Sequence, residues 1–144
     1  MTLPDISQWL RPDWQPHPRV RALVTTRLGH HSPPPWHGFN LGMNCGDDPA
    51  RVEQARRHVH KMLAVDHPPA WLEQVHGDRI IQAGDADTRA DGVWTGEPGW
   101  PCVVLTADCL PVLLARQDGS AVAAVHAGWR GLHGGILGRA VATL

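Results

Sequence analysis

The chain has 144 residues, 42% of them hydrophobic, enough for one domain with a sizeable core. Its formal charge of -1 excludes a basic field of the kind that binds nucleic acid, and there is no acidic tail. No apolar run reaches membrane-spanning length, and the opening MTLPDISQWLRPDW lacks the basic and apolar regions of a signal peptide.

Cys45, Cys102 and Cys109 form an odd set with no regular spacing. A disulfide framework is therefore not expected, and the reading is a reducing cytoplasm with thiols free for metal or chemistry. Lys61 is the only lysine; the arginine-rich remainder reads as base composition rather than as selected phosphate donors.

Up to about Pro18 the chain holds Trp9, Trp14 and four prolines, which suits an ordered but irregular arm. RVRALVTTR alternates and is β-branched, predicting a strand over 19–27. The following Gly-, Pro- and His-rich stretch, LGHHSPPPWHGFNLGMNCGDDP, is too long for an idle turn. Asp48 is a good N-cap with Pro49 at the first helical position. Val52, Ala55, Val59, Met62 and Leu63 then form an apolar stripe, predicting a helix over 49–64 that DHPP ends. AWLEQVHG and DRIIQA read as strands, the first over 71–76. GDADTRADGVWTGEPGWP reads as a loop-rich connection, and CVVLTADCLPVLLA as one long buried strand over 102–115, followed by another over 121–127. Ile136, Leu137, Ala140, Val141 and Leu144 make a last helical stripe. It stops on its own apolar face with no Gly, Asn or Pro to close it, the pattern of a chain cut short. The whole predicts an α+β fold of mixed sheets covered by helices.

The stretch LTADCLPVLLARQDGSAVAAVHAGWRG places Asp108, Cys109 and His126 in a hydrophobic hairpin. Asp118-Gly119 is a strong two-residue turn signal, with Gln117 opposite Ser120. Opposed residue numbers then sum to 237, setting Cys109 against Gly128 and Pro111 against His126. Cys109 and His126 share a face one diagonal apart, and Gly128 leaves space opposite the thiol. Either residue alone reads as an ordinary core residue. Together, at strand ends that break into AGWRGLHGG, they read as two metal ligands. A protein zinc site needs a third, and His76 in EQVHG, at a strand end before a glycine, is the best supplier. His2Cys with an open fourth position is a catalytic arrangement. His58 and His60 form an H-x-H pair, but on a helix they lie about 200° apart and do not share a metal. His30, His31 and His37 read as solvated loop histidines.

The motifs LVTTRLG, FNLGMNCGDDP, WLEQVHG, LTADCLPVLL and AVHAGWRG, in this order, resemble the YfiH/laccase-domain family, also called multicopper polyphenol oxidases. The resemblance runs from about residue 19 onward, and TADCLP with VHAGWRG is specific to that family. It implies a YfiH-like fold, incomplete here at its C-terminal end because family members continue further. It also implies a zinc-dependent purine nucleoside phosphorylase acting on adenosine, inosine, guanosine and S-methyl-5'-thioadenosine, with adenosine deaminase activity. The family's metal-binding His, Cys and His fall on His76, Cys109 and His126. Two departures stand out: Gly29-His30-His31-Ser32 where the family carries Gly-Gly-Val-Ser, and Ala55-Arg56 where it carries Asn-Arg.

Within that reading Arg27 and Arg130 are candidates for phosphate or substrate oxygens, since guanidinium forks bind them bidentately. Asp108 is a candidate to protonate the departing base or to orient a ligand histidine. Asn40 and Gln74 offer neutral hydrogen bonds to ribose or base, though both also suit loop stitching. For deamination, zinc would lower the pKa of the water that attacks purine C6. Three rivals remain. One is a copper polyphenol oxidase, which needs several H-x-H pairs on strands. Another is a metal-free cysteine hydrolase with Cys109 as nucleophile and His126 as base. The third is a truncated, inactive family member that self-associates through its exposed terminal helix.

Overall fold

Asp48 accepts a hydrogen bond from the Ala50 N–H at 3.0 Å, and Pro49 opens the helix α1, Pro49–Leu63. Ala64 closes it in the left-handed conformation, one residue short of the predicted end. The apolar stripe behaves as expected, with Val52, Ala55 and Val59 buried. The structure, a computed structural model, describes residues 2–144.

The chain divides into two compact units, one of residues 1–14 and 22–65, the other of residues 15–21 and 66–144. The first unit contains α1 and little other regular structure. Trp9 stacks on Phe39 with ring centroids 6.3 Å apart, and both are buried. The long loop before α1 is stitched by one buried carboxylate. Asp47 accepts from Ser32 Oγ at 2.8 Å, from Asn40 Nδ2 at 3.1 Å and from the Asp48 N–H at 2.8 Å, and it pairs with Arg51. His31 is buried in this loop with Nε2 2.9 Å from the Arg51 carbonyl, which corrects its reading as solvated.

The second unit is an α+β layer built on a mixed sheet of four strands. These are β1 Ile80–Gln82, β2 Gly92–Thr95, β3 Leu110–Ala115 and β4 Val122–Ala127, ordered β1-β2-β4-β3. β1 and β2 are parallel, and the other two pairings are antiparallel. The helices α2, Trp129–His133, and α3, Ile136–Thr143, follow β4. Ile136 and Ala140 of α3 pack with Val125 in one core cluster; Ile81, Ala90, Val93 and Ala124 form another. Val141 of the same stripe is 64% exposed.

Several elements differ from the sequence reading, each for a local reason. Residues 19–27 form no strand: Leu10 and Val24 make one isolated antiparallel bridge, and the segment is shared between the two units. Residues 71–76 form no ladder because their backbone donors go elsewhere, Glu73 to the Thr88 carbonyl and Val75, His76 and Gly77 to a carboxylate. Of 102–115 only Leu110–Ala115 is a strand; a bend at 107–109 interrupts it, and Cys102 has a single parallel bridge to Ala70. The supposed connection holds β2. It is short and buried on both faces, so it shows no alternation.

The hairpin register is as expected, with Pro111 opposite His126 and Leu110 opposite Ala127. Its turn is not. Gly119 donates to the Arg116 carbonyl at 2.9 Å and alone takes a positive φ, 68°, so the turn centres on Gln117 and Asp118. A type I′ turn needs positive φ at both central residues. Arg116 and Ala121 also sum to 237, so the change of turn leaves the register intact.

The Asp47 cluster yields a pH prediction. Burial alone would raise the carboxyl pKa, but the bonds from Asn40, Ser32, the Asp48 N–H and Arg51 outweigh it and hold the group below its ordinary value. A depressed folded pKa contributes stability above the unfolded value of about 3.9, lost as pH falls through the folded one. Denaturant titrations should show this acid loss in the natural chain and a shallower one in Asp47→Ala. That variant should be less stable by about 2–3 kcal/mol at pH 7, because buried donors are left unpaired.

Candidate metal centre

The register of β3 and β4 brings Cys109 and Gly128 opposite each other, one step beyond the Leu110–Ala127 pair. A Cβ built on Gly128 would lie 3.3 Å from Cys109 Sγ, 3.3 Å from His76 Cδ2 and 3.8 Å from His126 Cε1. The glycine therefore leaves open the space that the three side chains surround. Each residue offers one ligand atom, and these atoms lie within 4.8 Å of one another. Ligands about 2.0–2.3 Å from a common ion lie roughly 3–4.5 Å apart, so the cluster is close to metal-binding geometry. His76 and His126 meet edge to face, centroids 4.9 Å apart at 77°. His76 is exposed, Cys109 half-buried and His126 buried, so the cluster is reachable from solvent on the His76 side.

A fully buried carboxylate stands behind these residues. Asp91, just before β2, accepts from His126 Nδ1 at 2.7 Å, which leaves His126 Nε2 for a ligand. It also accepts from the backbone N–H groups of Val75, His76 and Gly77 at 3.0, 2.9 and 2.9 Å. Burial would raise its pKa; the bonds from His126, Gly77, Val75 and His76 outweigh burial and keep it below the ordinary carboxylate range. Asp108, a candidate from sequence either for this orientation or for protonating the base, is exposed in the bend before β3. Asp91 was not singled out. The one available signal was an Asp-Gly pair at the head of a β-branched run, inside a segment read as loop.

Two imidazoles, one of them fixed by a carboxylate, a thiol and a void without a Cβ fit a zinc-type ion in a three-ligand site. Among the described residues this is the one such cluster of three or more potential ligands. His58 and His60 sit on α1 with their Nε2 atoms 2.6 Å from the Pro4 carbonyl and 3.0 Å from the Val65 carbonyl, so they do not form a pair.

The other candidates scatter. Gln74 clamps the Leu105 backbone through both amide atoms, at 2.8 and 2.7 Å. Asn40 bonds Gly42, Cys45 and Asp47 in the first unit. Both are stitching residues in this structure. Arg130 is exposed on α2, its guanidinium carbon 5.2 Å from the Trp129 ring centroid. Arg27 is exposed and belongs to the first unit.

The family model described as multi-copper polyphenol oxidoreductase laccase matches residues 21–144. A Pseudomonas aeruginosa protein named purine nucleoside phosphorylase is 46% identical over 140 residues, 96% of this chain and 57% of that protein. Escherichia coli purine nucleoside phosphorylase YfiH is 44% identical over 135 residues, 92% of this chain and 56% of that one. The chain thus spans about half the length of the curated relatives it matches. Among solved structures, a Neisseria meningitidis protein superposes with a TM-score of 0.88 at 39% identity, over 94% of this chain and 57% of that chain. YlmD from Geobacillus stearothermophilus gives 0.78 at 34% identity, over 96% and 58%.

Two outcomes follow. Gly128 has φ -73°, open to any residue, so Gly128→Ala acts by crowding alone. It should weaken zinc binding roughly tenfold or more, against a chromophoric chelator, while its melting temperature stays within a few degrees. Thiol mapping by alkylation at pH 8 should label exposed Cys45 and spare Cys102, whose pKa burial pushes up to about 12. Zinc should protect Cys109.

Proposed function

Because the chain belongs to the multi-copper polyphenol oxidoreductase laccase family, we propose that it works as a zinc-dependent purine nucleoside phosphorylase, with adenosine deamination as a second activity. The observation that carries the reading is the convergence of His76, Cys109 and His126 around the Gly128 void. It is supported by the relatives at 46% and 44% identity, which are named purine nucleoside phosphorylases. A His2Cys site of this kind supplies Lewis acidity when zinc is bound. The family description names copper, but a multicopper site needs chelating H-x-H pairs, and His58 and His60 are held apart on α1, so zinc is the metal of this reading.

In phosphorolysis a phosphate oxygen bonds to the ribose anomeric carbon as the bond to the purine nitrogen breaks. The base leaves with a proton, giving the sugar 1-phosphate, which is ribose 1-phosphate for adenosine, inosine and guanosine. Arg130, exposed on α2 just past Gly128, suits the phosphate. Asp108, exposed beside Cys109, suits protonation of the leaving base. The substrates in this reading are adenosine, inosine, guanosine and S-methyl-5'-thioadenosine. In deamination, water replaces the purine amino group and ammonia leaves. A cytoplasmic setting accords with three free thiols. Among the described residues no helix is long and apolar enough to cross a membrane. Self-association of two copies through the exposed Val141 face of α3 belongs to the same proposal.

The test is chromatography of the zinc-loaded chain with inosine and phosphate. Hypoxanthine should appear only with phosphate, accompanied by ribose 1-phosphate, and Cys109→Ala or His126→Ala should cut the rate by about 100-fold or more. Base release without phosphate, or a rate unchanged in Cys109→Ala, would overturn the reading. Release that ignores both phosphate and chelator would point to a metal-free hydrolase.

A further inference from the structure

We propose that Asp91 is a positioning residue that sets both histidines of the site from a single carboxylate. It fixes the ring proton of His126 on Nδ1, and it holds the turn that presents His76. The inference rests on reading His76, Cys109 and His126 as metal ligands.

The carboxylate is fully buried, where an unpaired charge would be costly, yet it has four donors arranged in two sets. Oδ1 accepts from the Val75 N–H at 3.0 Å and the Gly77 N–H at 2.9 Å. Oδ2 accepts from the His76 N–H at 2.9 Å and from His126 Nδ1 at 2.7 Å. Three consecutive N–H groups converge on one carboxylate only if the chain curls around it. The residue at the apex of that curl is His76, whose φ of 60° is left-handed. A histidine stays there when its surroundings over-determine it. Here they do: a Cβ on Gly131 would lie 2.8 Å from the Gly77 carbonyl, so α2 walls the turn from the other side.

The same oxygen that holds the His76 N–H also dictates the His126 tautomer. An ionised carboxylate only accepts, so the ring proton sits on Nδ1 and Nε2 keeps its lone pair. The Asp91 main chain fixes His126 a second time, its carbonyl accepting the His126 N–H at 2.7 Å. Position and tautomer of one ligand, and backbone conformation of the other, thus depend on one side chain.

Asp91→Asn separates this role from simple space filling, because it keeps the shape and changes one acceptor into a donor. With its NH2 at the Oδ1 position, the amide faces two backbone N–H groups donor to donor. With its NH2 at the Oδ2 position, it can satisfy His126 only if the ring proton moves to Nε2. Two readouts follow it: the ring tautomer, from long-range 1H–15N correlations of the metal-free protein, and affinity for Co2+, from the thiolate-to-cobalt absorption band.

The natural chain should show His126 as the Nδ1–H tautomer. Asp91→Asn should shift it toward Nε2–H and weaken Co2+ binding roughly 10–100-fold. An Nε2–H tautomer in the natural chain would overturn the proposal, and so would Asp91→Asn with unchanged tautomer and cobalt affinity. The natural-chain tautomer decides the matter if Asp91→Asn does not fold. If the natural chain shows the Nδ1–H tautomer, Asp91→Asn shifts it, and neither takes up cobalt, the ligand reading fails while the positioning role stands.

Discussion

The pairing of Pro111 with His126 sets the register of the β3–β4 hairpin, and the site depends on that register. Side chains alternate across a strand, so a slip of one residue would turn His126 to the opposite face from Cys109. With the register in place, Cys109 meets Gly128, where the missing Cβ leaves room, and His126 lies one diagonal away. β4 is also an inner strand, bonded to β2 on one side and β3 on the other. The pairing of Gly92 with Val125 carries the preceding residue, Asp91, to the His126 backbone and ring. The hairpin supplies two candidate ligands, and the neighbouring strand supplies the group that orients one of them.

The third candidate ligand arrives by a different device. Residues 75–77 make no sheet ladder; they wrap a carboxylate, and His76 projects from a left-handed turn. Loop residues placed by a rigid sheet are the usual carriers of chemistry. Here the link between loop and sheet is electrostatic as well as steric, because Asp91 remains ionised behind both histidines.

What the sequence made legible follows from this division. Helix α1 could be read because cap, proline and stripe agree, and the hairpin because an Asp-Gly turn signal joins two apolar runs. Cys109 and His126 came from register arithmetic, which survived the wrong turn type because both turns share one sum. β2 and Asp91 could not be read. Four residues buried on both faces carry no period, and the aspartates at 85, 87 and 91 look alike in a string of residues. Only the fold shows that Asp91 is buried, while Asp85 and Asp87 are exposed. Residues 71–76 misled for the converse reason: their composition suits a strand, but their hydrogen bonds serve the site. Gln74 shows the same, its amide standing in for a ladder by clamping Leu105.

The central claim is that His76, Cys109 and His126 bind one ion together. X-ray absorption at the zinc edge on the zinc-loaded chain tests it most directly, because sulfur and nitrogen scatter at distinct distances. The account predicts one sulfur at about 2.3 Å and two histidine nitrogens at about 2.0–2.1 Å, with the sulfur lost in Cys109→Ala. A shell of nitrogen and oxygen alone, or a sulfur signal that persists in Cys109→Ala, would contradict it.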